Sequence, residues 1–553
     1  MPIRSHLAFY NKKDRPWPNQ RLKRAIIIGH TSTGTSKIWV RVGRPGKCCL
    51  LLSPNAFSTD SSLQLEVSGN ELLLKGENTP TLAPEIVYSS HHRMCYSTDL
   101  THVFNANGLE PNTRYYCAVF LASEDSSIFN IEINDGCSFK TLPMSPPDEF
   151  SFGLFSCHMP YEDKDVADAE MWQCFYEALS SNNARFLIGG GDQVYADVRG
   201  VPEIDIWEWL KKNIDENPTL EEMRSWYRDI YRGYWGFDSL QKVFASFPTY
   251  MTWDDHEIKD GWGSYTEDQL SDELDTLFRW EDKEKNLRLA YRMFEAAKLS
   301  YIEYQHSHNP DTDHGVFDFP LKNSGGDFYV LDARGCRDFE KDTNRILGRE
   351  QTNRLMDWLE ALQPSASGLP IFLVASIPFV HYRDFVMRLI EWIPITGGKG
   401  DAAARDHWLH EKHSDEINPI VNALFEVSDR TWRPLVILSG DVHVGTVFKL
   451  NHEGYPNAKV FQVTSSGITT YARINKYKLV KANLQHTIKR EGEMGKTGVT
   501  YKLLYNYIQN NFGIIKLRLE DEKLKNLFVE IHGQSEETGF HEHHCIDLLS
   551  LPE

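Results

Sequence analysis

Five segments of this 553-residue chain close an apolar run with a side chain that can hold a cation, move a proton or meet an anion. FSFGLFS is followed by Cys157 and His158, and RFLIGG by Gly191, Asp192, Gln193, Val194 and Tyr195. YMTW leads into Asp254, Asp255, His256 and Glu257, FYVL into Asp332, Arg334 and Arg337, and LVILSG into Asp441, Val442 and His443. Carboxylate, thiolate, phenolate and imidazole groups bind metals, while guanidinium groups offset anionic charge. Two cations about 3.5–4 Å apart clamp the attacking and leaving oxygens of an in-line phosphoryl displacement. A phosphate ester is therefore the substrate class that suits this set best. No single segment carries the reading, because a strand-end Gly-Asp is often only a turn and a buried cysteine often only packs. The combination carries it.

Something must bring these residues together. FSFGLFS, RFLIGG, PTYMTW, DFYVLD, PIFLVAS, PLVILSG and VFQVTS read as buried strands. Helical patterns alternate with them, such as Val166, Ala169, Trp172, Tyr176 and Leu179 on one face, and GREQTNRLMDWLEAL. Alternation of this kind indicates an α/β architecture with parallel or mixed sheets, whose ligands bind at the carboxyl ends of the strands. We assign residues 146–553 to this catalytic part. Its aromatic, acidic and helical intervals 197–246 and 262–320 are expected to be insertions that shape or cover the site. Residues 21–145 read differently, as short strands separated by turns, and predict an all-β sandwich of fibronectin type III or Ig-like kind. GLEPNTRYY resembles the corner of such domains, and LPMSPPDE reads as a linker. Residues 1–20 are expected to be irregular.

Composition narrows the class. The net charge is −19, which argues against a nucleic-acid footprint. No run of 18 apolar residues predicts a transmembrane helix. The first residues, MPIRSHLAFYNKKDRPWPNQ, lack the apolar core of a secretory signal. Nine cysteines, with Cys48 and Cys49 adjacent, make a poor disulfide framework, so the expected compartment is the cytoplasm. Cys48 and Cys49 should face opposite sides of one strand.

GDQVY, WDDHE, LDARGCR and SGDVH, in that order, resemble the motif set of the alkaline phosphatase D (PhoD-like) branch of the calcineurin-like metallophosphoesterases. IWVR, GLEPNTRYY, CSFKTLP, LGREQ and Asp406-His407-Trp408 are similar to further parts of that branch. The resemblance implies a metallophosphoesterase-type layered sheet and a dinuclear centre that hydrolyses phosphoric esters, a hydroxide on the cations attacking phosphorus in line. Cys157 stands where the superfamily has its first aspartate, Asp192 is the bridging carboxylate and Tyr195 the phenolate ligand. Asp255 replaces the asparagine of the Gly-Asn-His-Glu motif, Asp441 replaces the first histidine of Gly-His-x-His, and His443 keeps the second. One ion, iron, would take Cys157, Tyr195, His443 and Asp192. The other, calcium or another hard divalent cation, would take Asp192, Asp255 and Asp441. His256 would serve the leaving oxygen, and Arg334 and Arg337 the non-bridging oxygens.

Other readings stand beside this one. The histidine that the superfamily places after the penultimate strand is Ser376 here, and no Tat-type leader is seen. Asp254 is expected as a cap or supporting partner, and Glu257 as an orienting or capping residue. HEHHC, from His541 to Cys545, has no ligand partner at suitable spacing and reads as a solvated or partly packed tail. The alternative function is a non-catalytic phosphate-ester-binding or scaffold protein with a degenerate site. Monoester and diester substrates stay equally open, as do protein partners.

Overall fold

The computed structural model describes residues 21–68, 71–76, 85–134, 136–161, 170–198, 203–214, 217–313, 315–337, 344–380, 405–469, 491–534 and 541–551. Residues 1–20, and Val166 and Ala169 of the expected helix face, lie outside them.

Two large sheets form a mixed α/β core. In the first, six strands run in the order Thr249–Thr252, Leu187–Gly190, Glu149–Phe155, Asn511–Glu520, Lys523–Gln534 and His541–Asp547. The first three are parallel and the rest antiparallel. The second sheet has eight strands, with Gly326–Val330, Ile371–Ala375, Leu435–Ser439 and Val460–Thr464 parallel at its centre. Phe152, Leu154, Phe328, Phe372, Leu438 and Ile515 belong to one apolar cluster that contains side chains of both sheets. The outer faces are covered as well. Helix Glu170–Ser181 packs Trp172, Phe175 and Leu179 with the first sheet, and helices Gly348–Ala361 and Ser414–Thr431 cover the second. Strands buried on both faces need unbroken apolar runs, which is why LIGG, IFLVA and LVILS show no alternation.

Helices Ile206–Asn213, Leu220–Tyr234 and Asp238–Phe244 follow Asp197, and Glu267–Phe278 and Lys283–Tyr304 follow Trp262. Two of these starts are written in sequence as capping boxes, Thr219 with Glu222 and Thr266 with Gln269. Among the described residues no helix is long and apolar enough to cross a membrane.

The N-terminal part holds a three-stranded and a seven-stranded sheet. Ile28, Ile38 and Val40 of one share a core with Leu50, Val119 and Leu121 of the other. Tyr115 accepts a hydrogen bond from the Glu110 amide at 2.8 Å, which closes the GLEPNTRYY corner. Cys48 and Cys49 enter different clusters on opposite faces of strand Gly46–Ser53. HEHHC is a correction: it is not a tail but part of strand His541–Asp547, paired with Lys523–Gln534 at the edge of the first sheet. All five residues of HEHHC are exposed, so no apolar alternation marks the strand in the sequence.

Candidate metal centre

The parallel strands of both sheets deliver their carboxyl ends to one place, and the backbone there is unusual. Cys157, Asp192, Asp441 and His443 all have positive φ, at 55°, 56°, 65° and 54°. Such conformations cost of order 1–3 kcal/mol each for residues with a Cβ and collect at functional sites. Close packing of the loops explains two of the glycines. A Cβ on Gly191, whose φ is +97°, would lie 2.7 Å from Asp254 Cβ, and one on Gly440 would lie 2.7 Å from the Gly190 carbonyl. Glu257 ties two loops together. Its carboxylate accepts from the amides of Asp192 at 3.0 Å, Gln193 at 2.7 Å and Asp254 at 3.0 Å, and from Gln305 Nε2 at 2.9 Å.

Three sets of ligand-capable atoms converge, each within 4.8 Å of one another: Cys157, Asp192 and His443; Asp192, Asp255 and His256; Asp192, Asp254 and Asp441. Asp192 is common to all three. Its Oδ2 lies 3.2 Å from Cys157 Sγ and 3.3 Å from the Tyr195 hydroxyl, which is 2.9 Å from His443 Nε2. Ser466, at the end of the next strand, donates to Cys157 Sγ at 3.1 Å and accepts from the His443 amide at 2.9 Å.

Asp254 joins Asp192 and Asp441, while Asp255 joins Asp192 and His256. The expected set had Asp255 beside Asp441. Asp254 is the cap of the short 3₁₀ turn Asp255–Glu257 and Asp255 its first residue, so the two carboxylates leave the backbone at different points of the turn.

The electrostatics call for positive charge. Asp192 Oδ1, Asp254 Oδ2, Asp255 Oδ1 and Asp441 Oδ2 are buried without a hydrogen-bond partner. Unsatisfied buried oxygens are costly and rare in native structures. Burial first, and then Cys157, Asp254 and Asp255, push the Asp192 carboxyl well above its ordinary range. Burial and the same aspartates push Asp441 up too. Burial raises the Cys157 thiol to about 11 and carries the Tyr195 phenol well above its usual value. A bound cation reverses this logic, because a coordinating thiol is deprotonated outright. The donor set therefore fits metal ions. Thiolate and imidazole suit transition ions, and carboxylates hard cations.

Around these groups, His256 Nδ1 lies 2.8 Å and 3.0 Å from the two oxygens of Asp197. Burial alone would lower the imidazole pKa, but Asp197, Asp255 and Asp192 outweigh it and raise it well above the ordinary value. Asp197 escaped the sequence reading; its only signal was its place two residues after Tyr195. Ser466 likewise carried no mark beyond following a strand.

The arginines, expected to meet substrate, are engaged by the protein. Arg334 is fully buried. Its Nε pairs with Asp254, Nη1 donates to Asp406 at 2.6 Å and to the Trp262 carbonyl at 3.0 Å, and Nη2 reaches Asp406 at 3.1 Å. Nη2 also stands 3.4 Å from Asp255 Oδ1. Arg337 donates to the Ala333 carbonyl at 2.8 Å and to Asp406. Asp406 is thus shared, and although burial opposes it, the two guanidinium groups hold its carboxyl well below the usual range. His158 is not a ligand: Nε2 donates to the Tyr234 carbonyl at 2.8 Å, and Nδ1 accepts from Trp172 at 3.1 Å. Ser376 follows strand Ile371–Ala375, its hydroxyl buried without a partner.

Fold and site together define a mixed α/β protein with a candidate metal centre at its strand ends. The chain belongs to the PhoD-like phosphatase family, whose model matches residues 152–528; that family consists of phosphoric ester hydrolases. The solved structure of PhoD resembles it with a TM-score of 0.59 at 15% identity, covering 96% of this chain and 91% of that one, a likeness of fold. The uncharacterized protein YGR266W of Saccharomyces cerevisiae (strain ATCC 204508 / S288c) is 24% identical over 326 residues, 47% of this chain. The match spans 44% of the length of that relative.

Proposed function

We propose that this chain hydrolyses phosphoric esters at a dinuclear centre. The observation that carries the proposal is the convergence of Cys157, Asp192, Tyr195, His443, Asp254, Asp255 and Asp441 around buried carboxylate oxygens, of which those of Asp192, Asp254 and Asp441 include one without a hydrogen-bond partner. Cys157, Tyr195 and His443, with Asp192, would hold iron. Asp192, Asp441 and Asp254 or Asp255 would hold calcium or another hard cation. Bound there, the cations would activate a water for in-line attack and offset phosphoryl charge.

The remaining work falls to the chain's own residues. Asp197 orients His256 and favours its protonated form, so that the free ring nitrogen can donate to the leaving oxygen. Arg334, held by Asp406, fixes Asp254 and Asp255 and offsets part of their mutual repulsion. We assign Arg334 and Arg337 first to this positioning role. Residues 21–145 form, in this reading, a sandwich domain in front of a catalytic domain at 146–553. Nine cysteines without a disulfide among the described residues suit a reducing compartment, the cytoplasm.

The test compares an aryl phosphomonoester with the matching diester, using wild type, Asp192→Asn and His443→Ala, with metal analysis of each. Turnover in wild type that collapses in both variants, together with loss of metal, supports the reading. Full activity and metal content in both variants would refute it. Ester binding without turnover in wild type would favour a non-catalytic binder.

A further inference from the structure

HEHHC has no ligand partner nearby in sequence, but the sheet supplies one. Strand His541–Asp547 pairs with Lys523–Gln534 so that His543 stands opposite His532, and His541 one pleat further along. His532 Nδ1 lies 3.0 Å from His541 Nε2. The two rings are close to parallel, 17° apart, with centroids at 5.1 Å, so the nitrogens face each other edge to edge.

The other nitrogen of His532 sets the chemistry. Nε2 stands 3.0 Å from Glu530 Oε2, and Glu530 is held in turn by Lys516 Nζ at 2.9 Å. A carboxylate accepts only, so in the neutral ring the proton sits on Nε2 and the Nδ1 lone pair is aimed at His541. The ring cannot easily turn away. It is stacked between Phe512 at 4.9 Å and His543 at 4.8 Å. A carboxylate that fixes the tautomer of an imidazole is how metal-ligating histidines are oriented.

We propose that His532 Nδ1 and His541 Nε2 form a second metal site, for a divalent transition ion such as zinc, with water completing the shell. Imidazole suits that class of ion. Two imidazole nitrogens on one tetrahedral zinc, each at about 2.0–2.1 Å, stand roughly 3.3 Å apart. The observed 3.0 Å is near that separation, and because the nitrogens face each other the exposed His541 ring must turn to aim its lone pair at an ion held by His532 Nδ1. His532 is buried and His541 exposed, so the ion reaches the pair from solvent. Its effect is to fasten the edge strand to the sheet. The site shares no residue with the strand-end centre and does not depend on the function proposed above.

The experiment is a zinc titration of the full chain by calorimetry, with bound metal measured after desalting. Wild type is compared with His541→Ala, and with His541→Thr, whose β-branched side chain favours the strand. Wild type should bind one more zinc per chain than either variant, while ester turnover stays the same. Glu530→Gln should keep that equivalent and weaken it about 10–100-fold. Equal zinc stoichiometry in wild type and in either folded His541 variant would overturn the proposal and leave the pair as an ordinary imidazole hydrogen bond.

Discussion

The Tyr195 hydroxyl lies 2.9 Å from His443 Nε2, although 248 positions separate the two residues. Asp192 Oδ2 stands 3.3 Å from the same hydroxyl, which makes the phenol the hinge between the bridging carboxylate and the imidazole. Tyr195→Phe removes one oxygen and keeps the buried ring. Turnover of an aryl phosphate should fall roughly 10²–10³-fold, the size seen when one strong charge-stabilising group is removed. Thermal stability should change little. In iron-loaded protein the visible phenolate band should vanish with it. A variant that keeps wild-type turnover and colour would exclude Tyr195 from the centre.

The Asp406 carboxylate is shared by two buried guanidinium groups. Asp406→Ala leaves Arg334 and Arg337 buried beside one fewer negative charge, a change that costs about 3–5 kcal/mol when one partner of a buried pair is deleted. Urea unfolding should show that loss. Arg334→Met leaves Asp254 and Asp255 buried without their common cation, so it should cost stability of similar size and also lower turnover. Equal stability of wild type and Asp406→Ala would show that this network does not hold the loops.

His256 and Asp197 make a prediction about leaving groups. If Asp197 orients a proton donor, Asp197→Asn should slow esters of poor, high-pKa leaving groups by about 10²-fold or more. Esters of good aryl leaving groups, which need little protonation, should be slowed much less. A series of substituted phenyl phosphates and alkyl phosphates reads the slope. Parallel slopes for wild type and variant would remove Asp197 and His256 from that step.

A fourth prediction concerns acid. His30, His306 and His308 lie between the N-terminal sheet and the catalytic core, where Gly29 packs directly on His308. Burial, and after it Lys37, lowers their pKa values to about 4, about 4 and about 3. The unfolded chain therefore binds more protons than the folded one below the ordinary histidine value of 6.5. Their contribution is complete above that pH and is lost progressively as the pH falls toward 4 and 3. Unfolding midpoints in urea should drop between pH 7 and pH 4, and His308→Leu should flatten the drop. An unchanged pH profile in that variant would place the acid sensitivity elsewhere.

The core strands were legible because burial on both faces demands apolar runs, and LIGG, IFLVA and LVILS show them without ambiguity. The ligand-capable side chains at their ends are legible too, since Cys157, Asp192, Tyr195, Asp255, Asp441 and His443 each follow such a run. The capping boxes of Thr219 and Thr266 are local patterns of the same kind, which the structure brought to notice. All of these are properties of neighbours in the chain.

What tertiary structure decided lies between distant residues. Which of Asp254 and Asp255 joins Asp441 depends on where the short 3₁₀ turn Asp255–Glu257 begins. Whether Arg334 meets substrate or Asp406 depends on a partner 72 positions away. Asp197 and Ser466 acquired roles only through space, the one by facing His256 and the other by standing between Cys157 and His443. HEHHC became a strand with a histidine partner only when Lys523–Gln534 came to lie beside it. Side-chain chemistry and local periodicity are written residue by residue. The direction of a carboxylate and the identity of its partner are set by packing, where the nearest atoms belong to other parts of the chain.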